Sequence, residues 1–201
     1  MMRFLLLISC IICFYLVPGK LGAQPAIPAL CNTNDSLGMY SITMEFSKNT
    51  LTGLLILKKT TDSTFRMVLN AEMGPKLLDM ELSATGYKTI YAFKKLKRKR
   101  ILRTFYEDFG ALSGILIRNR TLSIASGQSS SVYTYDMGKK KRIMYNSQSP
   151  TDKITSGKVQ DGESVKTIFH YFYDPATSMI SSMKLEHQHF RMVILLNKIS
   201  L

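Results

Sequence analysis

The residues with the clearest potential for metal chemistry are three histidines near the C-terminus. His187 and His189 lie two residues apart, an acceptable spacing for two metal ligands on one face of a strand. A hairpin loop at Asp174–Thr177 would place His170 opposite Ser181, about 20 Å from the pair at roughly 3.3 Å per residue. The third histidine therefore cannot complete a site. We interpret His187 and His189 as exposed strand residues and predict that the protein binds no metal.

Catalytic acids and nucleophiles are equally scarce. Asp79 and Glu81 lie two apart on a predicted strand, but no second acidic pair or base accompanies them. The sequence has no GxSxG, HExxH, CxxC, P-loop or dinucleotide-binding motif. We therefore predict a protein that is not an enzyme and needs no cofactor. A hydrolase whose site has no sequence motif remains an alternative, weaker than the two non-catalytic functions given below.

The first residues have the pattern of an export signal. Arg3 precedes the apolar run Phe4–Val17, and a small-residue cleavage site follows. The run is too short to span a bilayer, which needs about 20 apolar residues, so an uncleaved anchor is the weaker alternative. We predict a signal peptide at residues 1–23, an N-terminal lead at 24–37 and a single domain at 38–201. The expected location is the periplasm or the periplasmic face of the outer membrane.

A lipid-anchored alternative depends on Leu7-Ile8-Ser9-Cys10, which has the shape of a lipoprotein box. Cleavage there would leave Ile11–Val17 as an apolar segment on the mature chain, so we expect Cys10 to be removed with the signal peptide. Cys31 is then the one cysteine of the mature chain. We expect it to be an inert thiol, because a single cysteine cannot form an intramolecular disulfide.

Basic residues are the unusual feature of the composition. Lys and Arg number 27 against 14 Asp and Glu in 201 residues, which gives a formal net charge of +13. Two clusters hold seven and four of these residues, or 11 of the 27: Lys94, Lys95, Lys97, Arg98, Lys99, Arg100 and Arg103, and then Lys139, Lys140, Lys141 and Arg142. Such clusters predict an anionic partner. We expect no nucleic acid partner, because the chain has an export signal and the clusters are not interleaved with aromatic residues.

Alternation of apolar and polar residues with a period of two dominates the mature chain and predicts half-buried antiparallel strands. The alternation is clearest in Ile42, Met44 and Phe46, in Phe65, Met67 and Leu69, in Val165–Tyr173, and in Met183 and Leu185. Turn-forming residues separate these segments, so the strands form a meander. We predict the α+β class, with a curved antiparallel sheet that forms an incomplete β-barrel and one or two helices as its lid.

One segment has helical spacing instead. Its apolar residues form a single stripe, which predicts an amphipathic helix that ends at Gly110 or Gly114. The stripe consists of Ile101, Leu102, Phe105, Phe109 and Leu112. The helix begins in the first basic cluster, where no N-cap residue is present and the macrodipole disfavours cations. Two interpretations remain open: a solvated face beside a core helix, or a surface for anionic lipid headgroups.

The order of elements between Leu69 and Leu112 resembles a known family. The segment contains a strand ending in Leu69-Asn70-Ala71, the turn Glu72–Pro75, the strand Leu77–Leu82, the loop Ala84–Gly86, a further strand and a helix. This order resembles the LolA/LolB superfamily of periplasmic lipoprotein carriers and outer-membrane lipoprotein receptors. An aromatic strand, the segment Met179–Glu186 and a last strand near Ile199 resemble the closing strands of that fold. The chain also resembles small exported proteins of Bacteroidetes-type bacteria.

The resemblance implies an incomplete barrel with a helical lid, whose apolar cavity receives an acyl chain of a lipid or lipoprotein. The cavity candidates are the strand residues Phe46, Leu54, Ile56, Phe65, Met67, Leu69, Phe169 and Tyr171. In the receptor branch an apolar residue before a glycine enters the membrane, and Met73 before Gly74 matches it. We expect a monomer.

The basic clusters supply the remaining candidates for contact with an anionic membrane. Together with Met73, these are Lys97, Arg98, Lys99, Arg100, Lys139, Lys140, Lys141 and Arg142. The alternative function is a membrane-surface adaptor, which docks on anionic lipid through these patches and has no ligand cavity.

Overall fold

The computed structural model describes residues 37–46, 49–72, 74–148 and 153–199. The predicted signal peptide, Cys31 and Met73 lie outside the described residues. No helix in the described part of the chain is long and apolar enough to cross a membrane.

The described residues form one antiparallel sheet of twelve strands and one α-helix. The strands are β1 (Leu37–Phe46), β2 (Asn49–Thr61), β3 (Thr64–Ala71), β4 (Lys76–Ser83), β5 (Gly86–Ala92), β6 (Leu122–Ser126), β7 (Ser130–Asp136), β8 (Lys141–Gln148), β9 (Lys153–Asp161), β10 (Ser164–Tyr173), β11 (Ile180–His187) and β12 (Met192–Lys198), and the helix α1 is Lys99–Leu112. Their order in the sheet is β5-β4-β3-β2-β1-β12-β11-β10-β9-β8-β7-β6. Strands β5 and β6 are the two edges, so the sheet is not closed.

The sheet is strongly curved around α1. Tyr106 of the helix bonds to Ser83 in β4, and Ala111 bonds to Tyr145 in β8. Strands β4 and β8 are eight spacings apart in the sheet, or about 38 Å at roughly 4.8 Å per spacing. Five residues of helix span only about 7.5 Å, so the sheet must curl to bring both strands to α1. This confirms the predicted fold class, a curved antiparallel sheet that forms an incomplete barrel with a helical lid.

Alternation along the strands gives the sheet one buried, largely apolar face, which we call the inner face. In β1 the side chains of Tyr40, Ile42 and Met44 are buried, and the residues between them are half-buried or exposed. The register continues this face across neighbouring strands, with Met44 opposite Ile194 of β12 and Ile42 opposite Leu196. The apolar stripe of α1 belongs to the same hydrophobic cluster.

The helix ends at Leu112, and Gly114 explains why. Gly114 has φ +73°, a left-handed conformation that glycine adopts readily and that ends many helices. Gly110 lies inside the helix, where a Cβ atom would come within 2.7 Å of the Leu116 side chain. Of the two predicted ends, Gly114 is confirmed and Gly110 is wrong. Gly110 serves close packing of the segment that follows the helix.

The β10–β11 hairpin has a longer loop than the sequence predicts. The loop runs from Asp174 to Met179, and a register shift follows Phe172. His170 therefore lies opposite Lys184, and His187 lies opposite Thr167, where the predicted loop placed His170 opposite Ser181.

The antiparallel order sorts the strand ends into two rims. Every neighbour in the sheet pairs an odd-numbered strand with an even-numbered one. The carboxyl ends of the odd-numbered strands therefore share a rim with the amino ends of the even-numbered strands. We call this the first rim, and the opposite one the second rim.

Candidate functional site

The candidate site is the inner face of the sheet together with the helix that covers it. Apart from Tyr40, the buried inner-face side chains of strands β1–β5 are aliphatic, methionine and phenylalanine, whereas β7–β11 contribute several tyrosines together with serine, threonine and histidine. The helix contributes Leu102, Phe105, Phe109 and Leu112, all buried. Phe105 and Phe109 stack with their ring centroids 6.0 Å apart.

Of the eight predicted cavity residues, the structure brings six to the inner face. These are Phe46, Phe65, Met67, Leu69, Phe169 and Tyr171. Leu54 and Ile56 lie on the outer face instead, where Leu54 is opposite Asn70 and Ile56 is opposite Val68. The inner-face positions of β2 are Leu55 and Leu57. The run Leu54–Leu57 is apolar throughout, so its alternation could not be read and only the register decides it.

A buried ion pair fixes the middle of α1 to the first-rim ends of β10 and β11. Asp108 Oδ2 lies 2.7 Å from His187 Nε2, and both side chains are only 1% exposed. Thr167 Oγ1 donates a hydrogen bond to Asp108 Oδ1 over 3.0 Å. His187 Nδ1 lies 3.1 Å from the carbonyl oxygen of Met192, to which it must donate. The prediction that His187 is an exposed strand residue was therefore wrong, while His189 is exposed and bonds to Ser164.

The protonation of His187 follows from these partners. Burial by itself lowers the pKa of His187, but the hydrogen bond and the charge of Asp108 raise it more, so the pKa lies above its usual value. Both ring nitrogens face acceptors, which suits an imidazolium that donates twice. The pair therefore joins α1 to the sheet as a charge-assisted contact.

A second charged contact lies one residue earlier on the helix. Glu107 Oε1 accepts from Lys141 Nζ at 2.6 Å and from Arg103 Nε at 3.0 Å. Burial raises the pKa of Glu107, but the two cations together lower it by more than burial raises it, so the net shift is downward. Lys141 is thus committed to the helix, and the expectation that it contacts a membrane is not supported by its position.

Two tyrosines complete the polar contacts of α1. Tyr145 OH in β8 donates to the carbonyl oxygen of Ala111, and Tyr106 OH donates to that of Ser83, each over 3.0 Å. Gly157 makes room for Tyr145, because a Cβ atom there would lie 2.9 Å from the tyrosine ring. Full burial raises the pKa of Tyr145 well above its usual value, so its hydroxyl stays protonated and available as a donor. We call the contacts of Asp108, Glu107, Tyr145 and Tyr106 the polar ties of the helix.

The arrangement of the inner face and helix matches a known architecture. The solved structure of a LolA superfamily protein from Nitrosomonas europaea superposes with a TM-score of 0.61, over 87% of this chain and 88% of that chain, at 6% sequence identity. The fold is LolA/LolB-like. The resemblance that the sequence indicated is thereby confirmed for the fold.

Two further solved structures superpose less closely on this LolA/LolB-like chain. One is a putative outer membrane lipoprotein-sorting protein domain from Vibrio parahaemolyticus, with a TM-score of 0.49 and 9% identity over 82% of this chain and 83% of that chain. The other is a DUF1329 family protein from Desulfovibrio piger, with a TM-score of 0.47 and 8% identity over 84% and 85%. No family model and no curated protein matches the sequence. At 6% identity the Nitrosomonas europaea structure shows the fold alone.

Two hydroxyls on the inner face of this LolA/LolB-like sheet have no partner among the described residues. They are Tyr171 OH in β10 and Ser147 Oγ in β8, and both atoms are buried. Burial raises the pKa of Tyr171, so it remains a neutral hydroxyl. A buried hydroxyl without a hydrogen bond costs about 1–3 kcal/mol, which makes both groups destabilising in this state.

Asp79, one of the two acidic residues considered for catalysis, has a structural role. Arg66 bonds Asp79 through two nitrogens, at 3.0 and 2.9 Å, and Lys76 Nζ lies 2.7 Å from Asp79 Oδ2. The hydrogen bond from Arg66 lowers the pKa of Asp79, with Lys76 adding to the shift, although burial opposes both. The carboxylate is therefore ionised and fully occupied. Among the described residues, no group of three or more His, Cys, Asp or Glu side chains could hold a metal ion.

Proposed function

We propose that the protein is a non-catalytic envelope protein that holds an acyl chain of a lipid or lipoprotein between the inner face and α1. The observation that supports this most directly is the chemistry of β1–β5, whose buried inner-face side chains are aliphatic, methionine and phenylalanine apart from Tyr40. One amphipathic helix covers that face. An acyl chain offers the same kind of surface as the helix stripe, so it can replace the stripe without burying an unpaired polar group.

The methionines of the inner face suit such a ligand. Met44, Met67 and Met80 lie on three of these strands and are fully or almost fully buried. Their unbranched side chains can change rotamer to follow chains of different shape. The likeness of the fold to a LolA superfamily protein also supports a carrier or receptor role.

Binding requires the helix to move. Met67 is only 1% exposed and lies in the same hydrophobic cluster as Phe105 and Phe109. An acyl chain would therefore enter as α1 withdraws from β1–β5. The polar ties to β8, β10 and β11 would hold the helix on the other side during this movement.

We place this activity in the periplasm or at the periplasmic face of the outer membrane. The basis is the export signal at residues 1–23, with cleavage before Gln24 and a single domain at 38–201. The protein would then act as a soluble or peripheral envelope protein, and a monomer is sufficient for the proposed site.

The test is native purification of the exported protein followed by mass spectrometry of both protein and bound lipid. We expect copurified lipid, a mature N-terminus within two residues of Gln24, and binding of a fluorescent fatty-acyl probe at micromolar concentration. About ten buried methylenes at roughly 0.8 kcal/mol each supply the corresponding free energy of about −8 kcal/mol. An acylated Cys10 would instead show that the protein is anchored.

The alternative function, a surface adaptor without a ligand, is favoured by one observation. The inner face is packed against α1, with Met67, Leu69 and Phe169 almost inaccessible. Absence of both copurified lipid and probe binding in a protein that melts cooperatively would refute the carrier proposal and leave the adaptor.

A further inference from the structure

The two basic clusters lie at the same rim of the sheet. The first cluster follows the carboxyl end of β5, and the second connects the carboxyl end of β7 to the amino end of β8. Both are first-rim positions, as is the β11–β12 connection at residues 188–191. Segments that are separated by more than 30 residues in the sequence are therefore brought to one end of the molecule.

The cations at the start of α1 have no acidic partner within the described part of the chain. None of Lys94, Lys95, Lys97, Arg98, Lys99 and Arg100 forms an ion pair with the described residues, and all six are exposed. The helix has no side-chain N-cap and no acidic residue in its first turn. Cations at this end oppose the helix dipole, so they do not serve helix stability.

Exposed aromatic side chains accompany these charges. Phe93 is 40% exposed and Phe190 is 38% exposed. The backbone N–H of Phe93 bonds to Leu77 in β4, which fixes the start of the cluster to the sheet. The guanidinium of Arg100 lies 5.6 Å from the ring centroid of Phe190, which joins the helix start to the β11–β12 connection.

Only three of the four cations of the second cluster are exposed to solvent. Lys139 and Lys140 are exposed in a turn at φ 50° and 66°, and Arg142 is exposed on the outer face of β8. Lys141 contacts Glu107 and does not contribute. Exposed Arg191 in the β11–β12 connection adds a further cation to the same rim.

We propose that the first rim docks on the surface of an anionic phospholipid bilayer, with Phe93 and Phe190 entering the interface between headgroups and acyl chains. Lysine and arginine beside a membrane attract anionic headgroups, and aromatic rings are favoured at the interfacial level. A soluble polyanion would satisfy the cations but would leave both rings in water. This inference does not depend on the acyl-chain site, because a docked protein need not hold a ligand.

The test compares two triple variants of the full exported chain that lose the same charge. Lys94→Gln, Lys95→Gln and Lys97→Gln alter the first rim, and Lys58→Gln, Lys88→Gln and Lys198→Gln alter the second. Sedimentation with vesicles of 30% phosphatidylglycerol in phosphatidylcholine at low salt gives the partition coefficient. We expect about a hundredfold loss for the first variant, at roughly tenfold per 1.4 kcal/mol and about 1 kcal/mol per cation, and less than about threefold for the second.

The aromatic contribution is tested separately. Phe93→Ser with Phe190→Ser should weaken vesicle binding at least about tenfold, whereas Phe172→Ser, which removes an outer-face ring that is 50% exposed, should leave it unchanged. All variants should melt within a few degrees of the parent. Equal losses in the two charge variants would overturn the proposal. Equal affinity for polyphosphate and vesicles, together with no effect of the aromatic substitutions, would assign the rim to a soluble polyanion instead.

Discussion

The two halves of the sheet meet the helix in different ways. The meander β1–β5 offers it a largely apolar surface and a polar tie from Tyr106 to a backbone carbonyl. The meander β6–β12 holds it with a buried ion pair, a tyrosine hydroxyl and a lysine. Apolar contacts are non-directional, whereas buried hydrogen bonds fix a geometry. The helix is therefore anchored to β6–β12 by polar contacts and packs against β1–β5 mainly through apolar contacts. A ligand that binds as proposed would displace it from β1–β5.

The buried ion pair of Asp108 and His187 is the anchor of the helix. Removing it should give the largest difference in stability between the two halves. Asp108→Ala leaves His187 buried without its counter-charge and Thr167 without its acceptor, and we expect a loss of about 3–5 kcal/mol in the free energy of unfolding. Tyr106→Phe removes the hydrogen bond from the helix to Ser83 in β4 and should cost only about 1 kcal/mol. Urea unfolding measures both. Equal effects would show that the two halves hold the helix equally.

A change of pH should have an intermediate effect on stability, through His187 in the half that anchors the helix. The pKa of His187 is raised in the folded protein, so its stabilising charge is fully present below its unfolded pKa of about 6.5. That contribution is lost as the pH rises through the folded pKa. The groups that face His187 are the carboxylate of Asp108, the carbonyl of Met192 and the ring of Phe190, which lies 4.9 Å away between centroids.

Thermal melting between pH 6 and pH 9 checks this expectation. The depressed pKa values of Glu107 and Asp79 place their own contributions at acidic pH, below this window. Stability should fall with rising pH in the parent and change much less in Asp108→Asn, which removes the counter-charge. A parent that is flat across the window would contradict a protonated His187.

The smallest effect is expected from the unpartnered hydroxyls. Tyr171→Phe removes a buried OH that makes no hydrogen bond with the described residues, so the empty protein should be unchanged or slightly more stable, by up to about 1 kcal/mol. Tyr145→Phe is the matched control, because its hydroxyl donates to Ala111 and its loss should destabilise by about 1 kcal/mol or more. Differential scanning calorimetry of the two variants side by side measures the sign.

The sequence was sufficient for the architecture because alternation reports directly on a sheet with one buried face. Ile42, Met44 and Phe46 could be placed from their spacing alone. The run Leu54–Leu57 could not, since every residue in it is apolar and only pairing with β3 selects a face. The β10–β11 loop was too short in the prediction because a register shift after Phe172 leaves no mark in the sequence.

The anchor of the helix was missed because its partners are 79 residues apart. The sequence around each of the two partners nevertheless contained a local signal. His187 continues the buried series of Met183 and Leu185 with the same period of two, and Asp108 lies three residues after Phe105 and four before Leu112, on the apolar stripe. A polar residue in line with an apolar series is a residue that must find a buried partner.

The order of the strands means that the two meanders are connected twice, once by hydrogen bonds and once by the peptide chain. Strands β1 and β12 join the two meanders through hydrogen bonds, from Tyr40 opposite Lys198 to Phe46 opposite Met192, while the peptide chain joins them only through residues 93–121. Cleavage by a trypsin-like protease within Lys94–Arg98 would therefore cut the chain without cutting the sheet. The two pieces would each carry a complete meander and could remain associated as a nicked but native-like complex. That same exposed stretch is a natural place to open the chain for a circular permutant or a split reporter.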